Sequence, residues 1–241
     1  MKRAIAGLMA LTVIAAPALA VKDTAGTTAL VAAPVALKSD MAYLLLRTST
    51  AKSGMMSIRH VLLRIPSAQE IEDYKQGRKV ASNSFVVDQD KFLEDGTMRT
   101  LLIEVPPGEY LFYGITIGGG GLVTCNCLGT VKFAARAGVI TDLGSAYADK
   151  VHKPSPIPHL EDNLGPQMFQ YGLILGEAVV PADAATPVPA ALKSLPVERA
   201  AYRAVGQFTG GSSVNRLPPI PGVLAYVRGK PVDPTTGKLP D

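Results

Sequence analysis

The chain of 241 residues has no tryptophan, two cysteines and three histidines. Two cysteines cannot form a multi-disulfide framework, and three histidines leave little for a metal centre or a general base. Charged residues are 18% and aromatic residues 6%, whereas hydrophobic residues reach 47%. With 19 prolines and 23 glycines, long helices and coiled coils are disfavoured because both residues interrupt helix interiors. This composition favours a turn-rich β protein.

The first twenty residues have the pattern of a secretory signal peptide. Lys2 and Arg3 form a basic start, residues 4–16 are almost wholly apolar, and residues 18–20 read Ala-Leu-Ala before the expected cleavage site. A membrane anchor needs roughly 20 continuous apolar residues, and this run is closed by Lys22 and Asp23. We therefore expect residues 1–20 to be removed, no transmembrane anchor, and a periplasmic or secreted location.

Export also changes the charge balance. Removing Lys2 and Arg3 lowers the basic count from 24 to 22 against 20 acidic residues, so the net charge falls from +4 to +2. Residues 183–241 carry seven basic and four acidic groups, which leaves attraction of this segment to an anionic surface open. Neither a basic face interleaved with aromatic side chains nor a polybasic stretch is visible. We expect no nucleic-acid partner.

Short apolar runs separated by Pro and Gly turns predict a mainly β protein. Residues 57–65 and 99–105 alternate as strands do, and Pro106, Pro107 and Gly108 predict a turn into a returning strand. Several such strands at spacings of roughly 8–12 residues are typical of an antiparallel β-sandwich or a barrel. The fold expected is an antiparallel β-sandwich with one or two short helices and a Pro-rich C-terminal extension.

The domain organisation follows from these patterns. We expect a signal peptide over residues 1–20, a flexible lead-in over 21–39, the sandwich over 40–182 and a Pro-rich extension over 183–241. The extension is expected to be partly packed on the sandwich, with a disordered tail. Ser67 and Glu70 match a capping box and predict a short surface helix over residues 67–77. For residues 197–208 the pattern does not decide between helix and strand.

Cys125 and Cys127 are the sharpest chemical feature. An oxidising compartment favours a disulfide, but residues i and i+2 of a regular strand lie roughly 6.6 Å apart, beyond the common Cα separation. A bond between them requires the chain to leave the strand at Asn126. Four interpretations stay open: a structural local disulfide, buried reduced thiols, a soft-metal site and redox chemistry. The disulfide is favoured, and as metal ligands the two cysteines are weak candidates.

Other chemical motifs are weaker. Met55 and Met56 could add soft ligands for copper, and His152 and His159 lie in a Pro-rich segment with no preset spacing for zinc.

His60 lies among apolar neighbours, which predicts a satisfied core histidine. Residues 118–121 are four glycines, and the lysine of a P-loop does not follow them. Glu104 and Glu109 flank the Pro-Pro-Gly turn as solvated charges. We therefore expect no catalytic residue and no cofactor.

The sequence Val-Pro-Pro-Gly-Glu-Tyr at residues 105–110, with Thr-Val-Lys-Phe at 130–133 and Ala-Gly at 137–138, resembles a known pattern. Exported bacterial β-sandwich modules of the transthyretin-like, carboxypeptidase-regulatory type have a strand that ends in Pro-Gly-x-Tyr. The resemblance covers about forty residues. The whole layout also resembles uncharacterised bacterial envelope proteins. These resemblances imply an extracytoplasmic sandwich and transfer no catalytic residue.

Together these patterns favour an exported, non-enzymatic binding or structural module of the bacterial envelope. Its partner would be an envelope or extracellular macromolecule that the sequence does not identify. The alternative is metal handling, of copper or zinc, or redox handling through Cys125 and Cys127. The sequence does not decide whether the chain is an enzyme, and it favours a non-enzymatic role because no recognised catalytic motif appears.

Overall fold

The computed structural model of the chain is a β-sandwich, which confirms the predicted fold class. Two sheets face one another, and a separate two-stranded hairpin follows near the carboxyl terminus. The structure describes residues 27–29, 36–50, 58–80, 83–87, 99–117, 122–149, 176–208 and 213–238. The predicted signal peptide lies outside the described residues.

The strands of the first sheet are β1 (Thr27–Ala29), β2 (Ala42–Thr50), β5 (Arg99–Val105), β9 (Ile140–Asp149), β10 (Gly176–Val180) and β11 (Val197–Arg199). They lie in the order β1-β5-β2-β9-β10, with β11 beside β9. Most of the pairs are antiparallel, but β2 and β11 both run parallel to β9. The lead-in, predicted to be flexible, thus contributes β1 at an edge of this sheet.

The strands of the second sheet are β3 (Ile58–Ile65), β4 (Ser84–Val86), β6 (Gly108–Ile117), β7 (Leu122–Cys125), β8 (Thr130–Ala135), β12 (Arg203–Val205) and β13 (Ser213–Val214). They lie in the order β12-β8-β6-β3-β4, and the long strand β6 also pairs with β7, which pairs with β13. The predicted hairpin at the Pro-Pro-Gly turn is instead a crossing between sheets, because β5 belongs to the first sheet and β6 to the second. The tight turn at Ala137 and Gly138 makes the same crossing between β8 and β9.

The main core lies between the two sheets. Each sheet turns one apolar face inward, and the aromatic rings of Tyr110, Phe112 and Phe133 on the second sheet contact one another at its centre. The side chains opposite come from β2, β5 and β9 and include Leu44, Leu46, Leu101, Ile103 and Leu143. This packing explains why the strands are apolar at alternate positions.

A second, smaller core covers the outer face of the first sheet. Tyr43, Leu45 and Ile140 point away from the main core, so strands β2 and β9 are apolar on both faces. They are covered by the Pro-rich segment at residues 183–196, whose 3₁₀ turn Ala190–Leu192 buries Leu192 completely. We refer to residues 183–196 as the strap.

The extension that begins at residue 183 contributes to both sheets. β11 joins the first sheet, whereas β12 and β13 join the second. Beyond them, β14 (Ala225–Val227) and β15 (Lys230–Val232) form an antiparallel hairpin. Residues 197–208, which the sequence left between helix and strand, are therefore extended where they form β11 and β12.

The one α-helix in the described ranges confirms the capping-box prediction. α1 (Ala68–Lys75) begins after Ser67, whose hydroxyl accepts from the Glu70 amide at 3.2 Å, while the Glu70 carboxylate accepts from the Ser67 amide at 2.8 Å. None of its residues is buried, as expected for a surface connection. In the part of the chain that the structure describes, no helix is long and apolar enough to cross a membrane.

Candidate functional site

The two cysteines lie at a turn, as the sequence required for contact between them. β7 ends at Cys125, and Asn126 leaves the strand, so the Cα atoms of Cys125 and Cys127 are 5.1 Å apart. Their sulfur atoms are adjacent, and both residues are fully buried. The backbone amide of Asn126 donates to the Tyr113 carbonyl at 2.6 Å, which fixes the turn against β6.

Asn126, between the two cysteines, directs its side chain into the core. Its Nδ2 donates to Oε2 of Glu177 at 2.5 Å. The same nitrogen lies 3.4 Å from the carbonyl oxygen of Phe112, a second and weaker contact. Asn126 and Glu177 are each 1% exposed. The cysteine turn is thus connected to β10 of the opposite sheet.

His60 completes this buried polar network. Its Nδ1 lies 2.5 Å from Oε1 of Glu177, and its Nε2 lies 3.0 Å from the hydroxyl oxygen of Thr48. His60 belongs to the second sheet, whereas Thr48 and Glu177 belong to the first. His60 is fully buried and hydrogen-bonded, so the prediction of a satisfied core histidine is confirmed. We refer to Thr48, His60, Asn126 and Glu177 as the polar joint.

In the polar joint a hydroxyl contacts an imidazole, which in turn contacts a carboxylate. This arrangement resembles the one that activates a nucleophile in hydrolases. In such sites, however, the nucleophile must meet a substrate, and the hydroxyl-bearing Thr48 is 1% exposed. The carboxylate already accepts from both His60 and Asn126. These contacts favour a structural role, because a buried polar group is stabilising only when its hydrogen bonds are satisfied.

A second polar link holds the strap. Arg47 on β2 pairs with Asp142 on β9 through two nitrogen–oxygen contacts of 2.7 and 3.1 Å. The same guanidinium donates to the Pro187 carbonyl of the strap at 2.8 Å. Asp142 also accepts from the Gly144 amide at 2.9 Å, beside the bulge where β2 and β9 shift register. The ion pair therefore fixes both the bulge and the strap.

Gly144 makes this bulge sterically feasible. Its φ of +78° lies in the left-handed region, and a Cβ atom at this position would lie 2.1 Å from the Val180 carbonyl oxygen. The close approach of Gly144 to residues 180–182 allows β10 and the start of the strap to pack on β9. Only glycine satisfies both the backbone angle and the contact.

The carboxylates that flank the Pro-Pro-Gly turn each have a lysine partner. Glu104 accepts from Lys38 at 2.7 Å and from the Tyr43 hydroxyl at 3.1 Å, and the hydrogen bond from Lys38 lowers the pKa of this carboxyl. Glu109 lies 3.5 Å from Lys132. The two carboxylates belong to different sheets, so the structure does not make them an acid–base pair.

The candidate metal ligands divide into residues that the structure describes and residues that it does not. Among the described residues, no group of three or more His, Cys, Asp or Glu side chains is arranged to hold a metal ion. Met55, Met56, His152 and His159 lie outside the described residues, as do the four glycines at 118–121. Cys125 and Cys127 thus belong to no such group within the described ranges.

The sequence identified His60 and the cysteines but not Thr48, Asn126 or Glu177. His60 and Glu177 are separated by 117 positions in the chain, and no local spacing connects them. One feature of the sequence could have pointed to Glu177. It is the single charged residue in β10, where it lies among glycine, alanine and valines. A lone acid in an apolar strand indicates a buried partner.

Comparison with protein-family models finds no match to this chain, and no curated protein and no solved structure matches it. The resemblance to transthyretin-like envelope modules therefore stays a prediction.

Proposed function

We propose that the chain is an exported, non-enzymatic binding or structural module of the bacterial envelope, of the transthyretin-like type. The observation that carries this proposal is that the polar joint, which has the order of a catalytic constellation among the described residues, is buried between the sheets and connects them. The signal-peptide pattern of residues 1–20 supports export to the periplasm or the medium.

We further propose that Cys125 and Cys127 form a structural disulfide. Their adjacent sulfur atoms and the Cα separation of 5.1 Å support the bond. An oxidising compartment would maintain it. The bond would fix the turn that directs Asn126 at Glu177, so its role is to hold the polar joint in place.

A bound partner, an envelope or extracellular macromolecule, would contact the outside of the sandwich. The strap covers the outer face of the first sheet around Tyr43, Leu45 and Ile140, whereas Val180 on β10 is 54% exposed. Strand edges, exposed turns and the extension are the surfaces that would present side chains to such a partner. Deleting residues 183–241 would not isolate such a surface, because the deletion removes strands from both sheets.

Mass spectrometry tests the proposal on the chain purified from the envelope fraction without reductant. We expect a metal-free chain that begins at Val21 and is two hydrogens lighter than the reduced form. A matched variant with Lys2 and Arg3 both changed to Glu should be retained in the cytoplasm with residues 1–20 attached. Copper or zinc that is lost in the Cys125→Ser variant would instead support the alternative of metal handling. A wild-type chain that keeps residues 1–20 in the cytoplasm would overturn export.

A further inference from the structure

The hairpin formed by β14 and β15 ends in a cationic turn with an exposed apolar residue beside it. Val227 and Lys230 are directly paired, and Arg228 and Gly229 connect them with φ angles of +48° and +76°. Val227 is 57% exposed, and Arg228 and Lys230 are exposed as well. We refer to residues 227–230 as the hairpin tip.

The hairpin is mounted firmly on the sandwich. The guanidinium of Arg216 lies 4.9 Å from the centre of the Tyr226 ring and donates to the Gly229 carbonyl at 3.0 Å. The Tyr226 hydroxyl donates to the Leu217 carbonyl at 2.6 Å, and its ring occupies the space beside Gly129. Because the base is held in this way, the backbone of the tip loses little conformational entropy on binding.

Arg228 occupies a backbone position that does not suit arginine. Among the described residues it is the only one other than glycine with a positive φ. Two-residue hairpin turns of this kind favour Asn-Gly or Asp-Gly because both central residues have positive φ. An arginine here costs conformational free energy. Such a local cost is typical of a position that serves binding.

The chain segment that carries the tip is predominantly basic. Residues 213–238 contain Arg216, Arg228, Lys230 and Lys238 but a single acid, Asp233. Asp233 accepts hydrogen bonds from the amide and hydroxyl of Thr235. No ion pair between described residues includes Arg228 or Lys230. By contrast, Lys75 and Arg78, at and just beyond the end of α1, each pair with an acid of that helix.

We propose that the hairpin tip docks on an anionic phospholipid surface, with Arg228 and Lys230 at the headgroup phosphates and Val227 in the interfacial layer. This deepens the proposed envelope function and depends on it. The cations match the negative lipid phosphates, and each cation near such a surface strengthens binding about fivefold. A bilayer also accommodates the exposed Val227 between its headgroups, whereas a soluble acidic polymer does not.

The test is co-sedimentation of the purified chain without the signal peptide, residues 21–241, with vesicles of phosphatidylglycerol and phosphatidylcholine at low salt, with pure phosphatidylcholine vesicles as the reference. We expect binding to the anionic vesicles alone. Combined Arg228→Asn and Lys230→Gln should weaken binding about 25-fold. Val227→Ser should weaken it about threefold because less apolar surface is buried. The double variant Lys75→Gln and Arg78→Gln removes the same charge and should bind like the wild type.

Arg228→Asn separates binding from folding. Asparagine suits the left-handed backbone better, so the melting temperature of this variant should equal or exceed that of the wild type while vesicle binding falls about fivefold. Equal binding by the wild type and the tip variants, or equal loss in the α1 control, would overturn the proposal. Binding to soluble polyglutamate as tight as to vesicles, with no effect of Val227→Ser, would identify a soluble polyanion as the partner instead. Because this assay uses purified protein, its failure is distinguishable from a failure of export.

Discussion

His60 and Glu177 join the two sheets of the sandwich through a 2.5 Å contact between Nδ1 and Oε1, and both side chains are completely buried. Thr48 contacts the other ring nitrogen, and Asn126 donates to the other carboxylate oxygen. All four groups are buried, so a change of register between the sheets would break these hydrogen bonds and leave buried polar atoms unpaired. The polar joint thereby aligns the sheets.

A substitution of Gly144, at the bulge in β9, tests how closely β10 packs on β9. Gly144→Ala should lower the free energy of unfolding by about 3 kcal/mol or more, since its Cβ would meet the Val180 carbonyl oxygen at 2.1 Å. Gly237→Ala is the matched control, with a φ of +66° and no neighbouring atom within 4 Å. It should cost about 1 to 2 kcal/mol, the cost of the left-handed backbone alone. Equal losses in urea denaturation would contradict the crowding at Gly144.

Arg47 should control the strap. Arg47→Ala removes the donor to the Pro187 carbonyl and leaves the nearly buried Asp142 carboxylate without its cation. We expect a loss of about 3 to 5 kcal/mol in unfolding free energy. Faster hydrogen exchange at strap residues 183–196 should accompany the loss. Lys38→Ala, which removes an exposed partner of Glu104, should leave that exchange unchanged. Unchanged exchange in the Arg47 variant would show that the apolar contacts of Leu192 alone hold the strap.

The proposed disulfide should contribute modestly to the free energy of unfolding through loop closure, because it encloses a very short segment. Replacing Cys125 and Cys127 together by serine should cost about 1.5 kcal/mol from this source. The free energy of unfolding should fall further, because two serine hydroxyls would enter an apolar site and Asn126 would be less firmly held. Denaturant titrations of the oxidised wild type, the reduced wild type and the variant would separate these contributions. If reduction leaves stability unchanged, the bond does not hold the turn.

Glu70 should make stability depend on pH in the acid range. The Arg64 guanidinium and the Ser67 amide lower the pKa of its carboxyl from 4.5 to about 2. A lowered folded-state pKa means that Glu70 stabilises the fold above pH 4.5 and that this contribution is lost as the pH falls from 4.5 towards 2. Thermal unfolding should therefore show Glu70→Gln less stable than the wild type at pH 7, with the difference shrinking as the pH falls below 4.5 and vanishing only below pH 2. A difference that is independent of pH would refute the ion pair as its cause.

Local patterns predicted the strands and the helix well, because alternation and capping are properties of neighbouring residues. Arg99–Val105 and Gly108–Ile117 form strands on either side of the predicted turn, and Ser67 caps the helix. The pairing of strands was not predictable in the same way. The sequence suggested a hairpin at Pro106 and Pro107, whereas the two strands belong to opposite sheets.

The polar joint could not be predicted from the sequence for a similar reason. Its members come from four separate segments, and the separation of Asn126 from Glu177 is 51 positions. Burial of a charge depends on the final packing of the sheets, which one sequence does not display. The alternation of residues 58–65 nevertheless placed His60 correctly among apolar neighbours.

A double-mutant cycle on His60 and Glu177 tests the structural role of the polar joint most directly. His60→Leu and Glu177→Leu should each cost about 3 to 5 kcal/mol of unfolding free energy, because each leaves a buried partner unpaired. Together they should cost clearly less than the sum, with a coupling of at least about 2 kcal/mol. The exposed pair Arg136 and Glu198, changed to alanine in the same way, should show a coupling below about 1 kcal/mol. Additive losses at His60 and Glu177 would contradict the account, since the two side chains would then not act as one joint between the sheets.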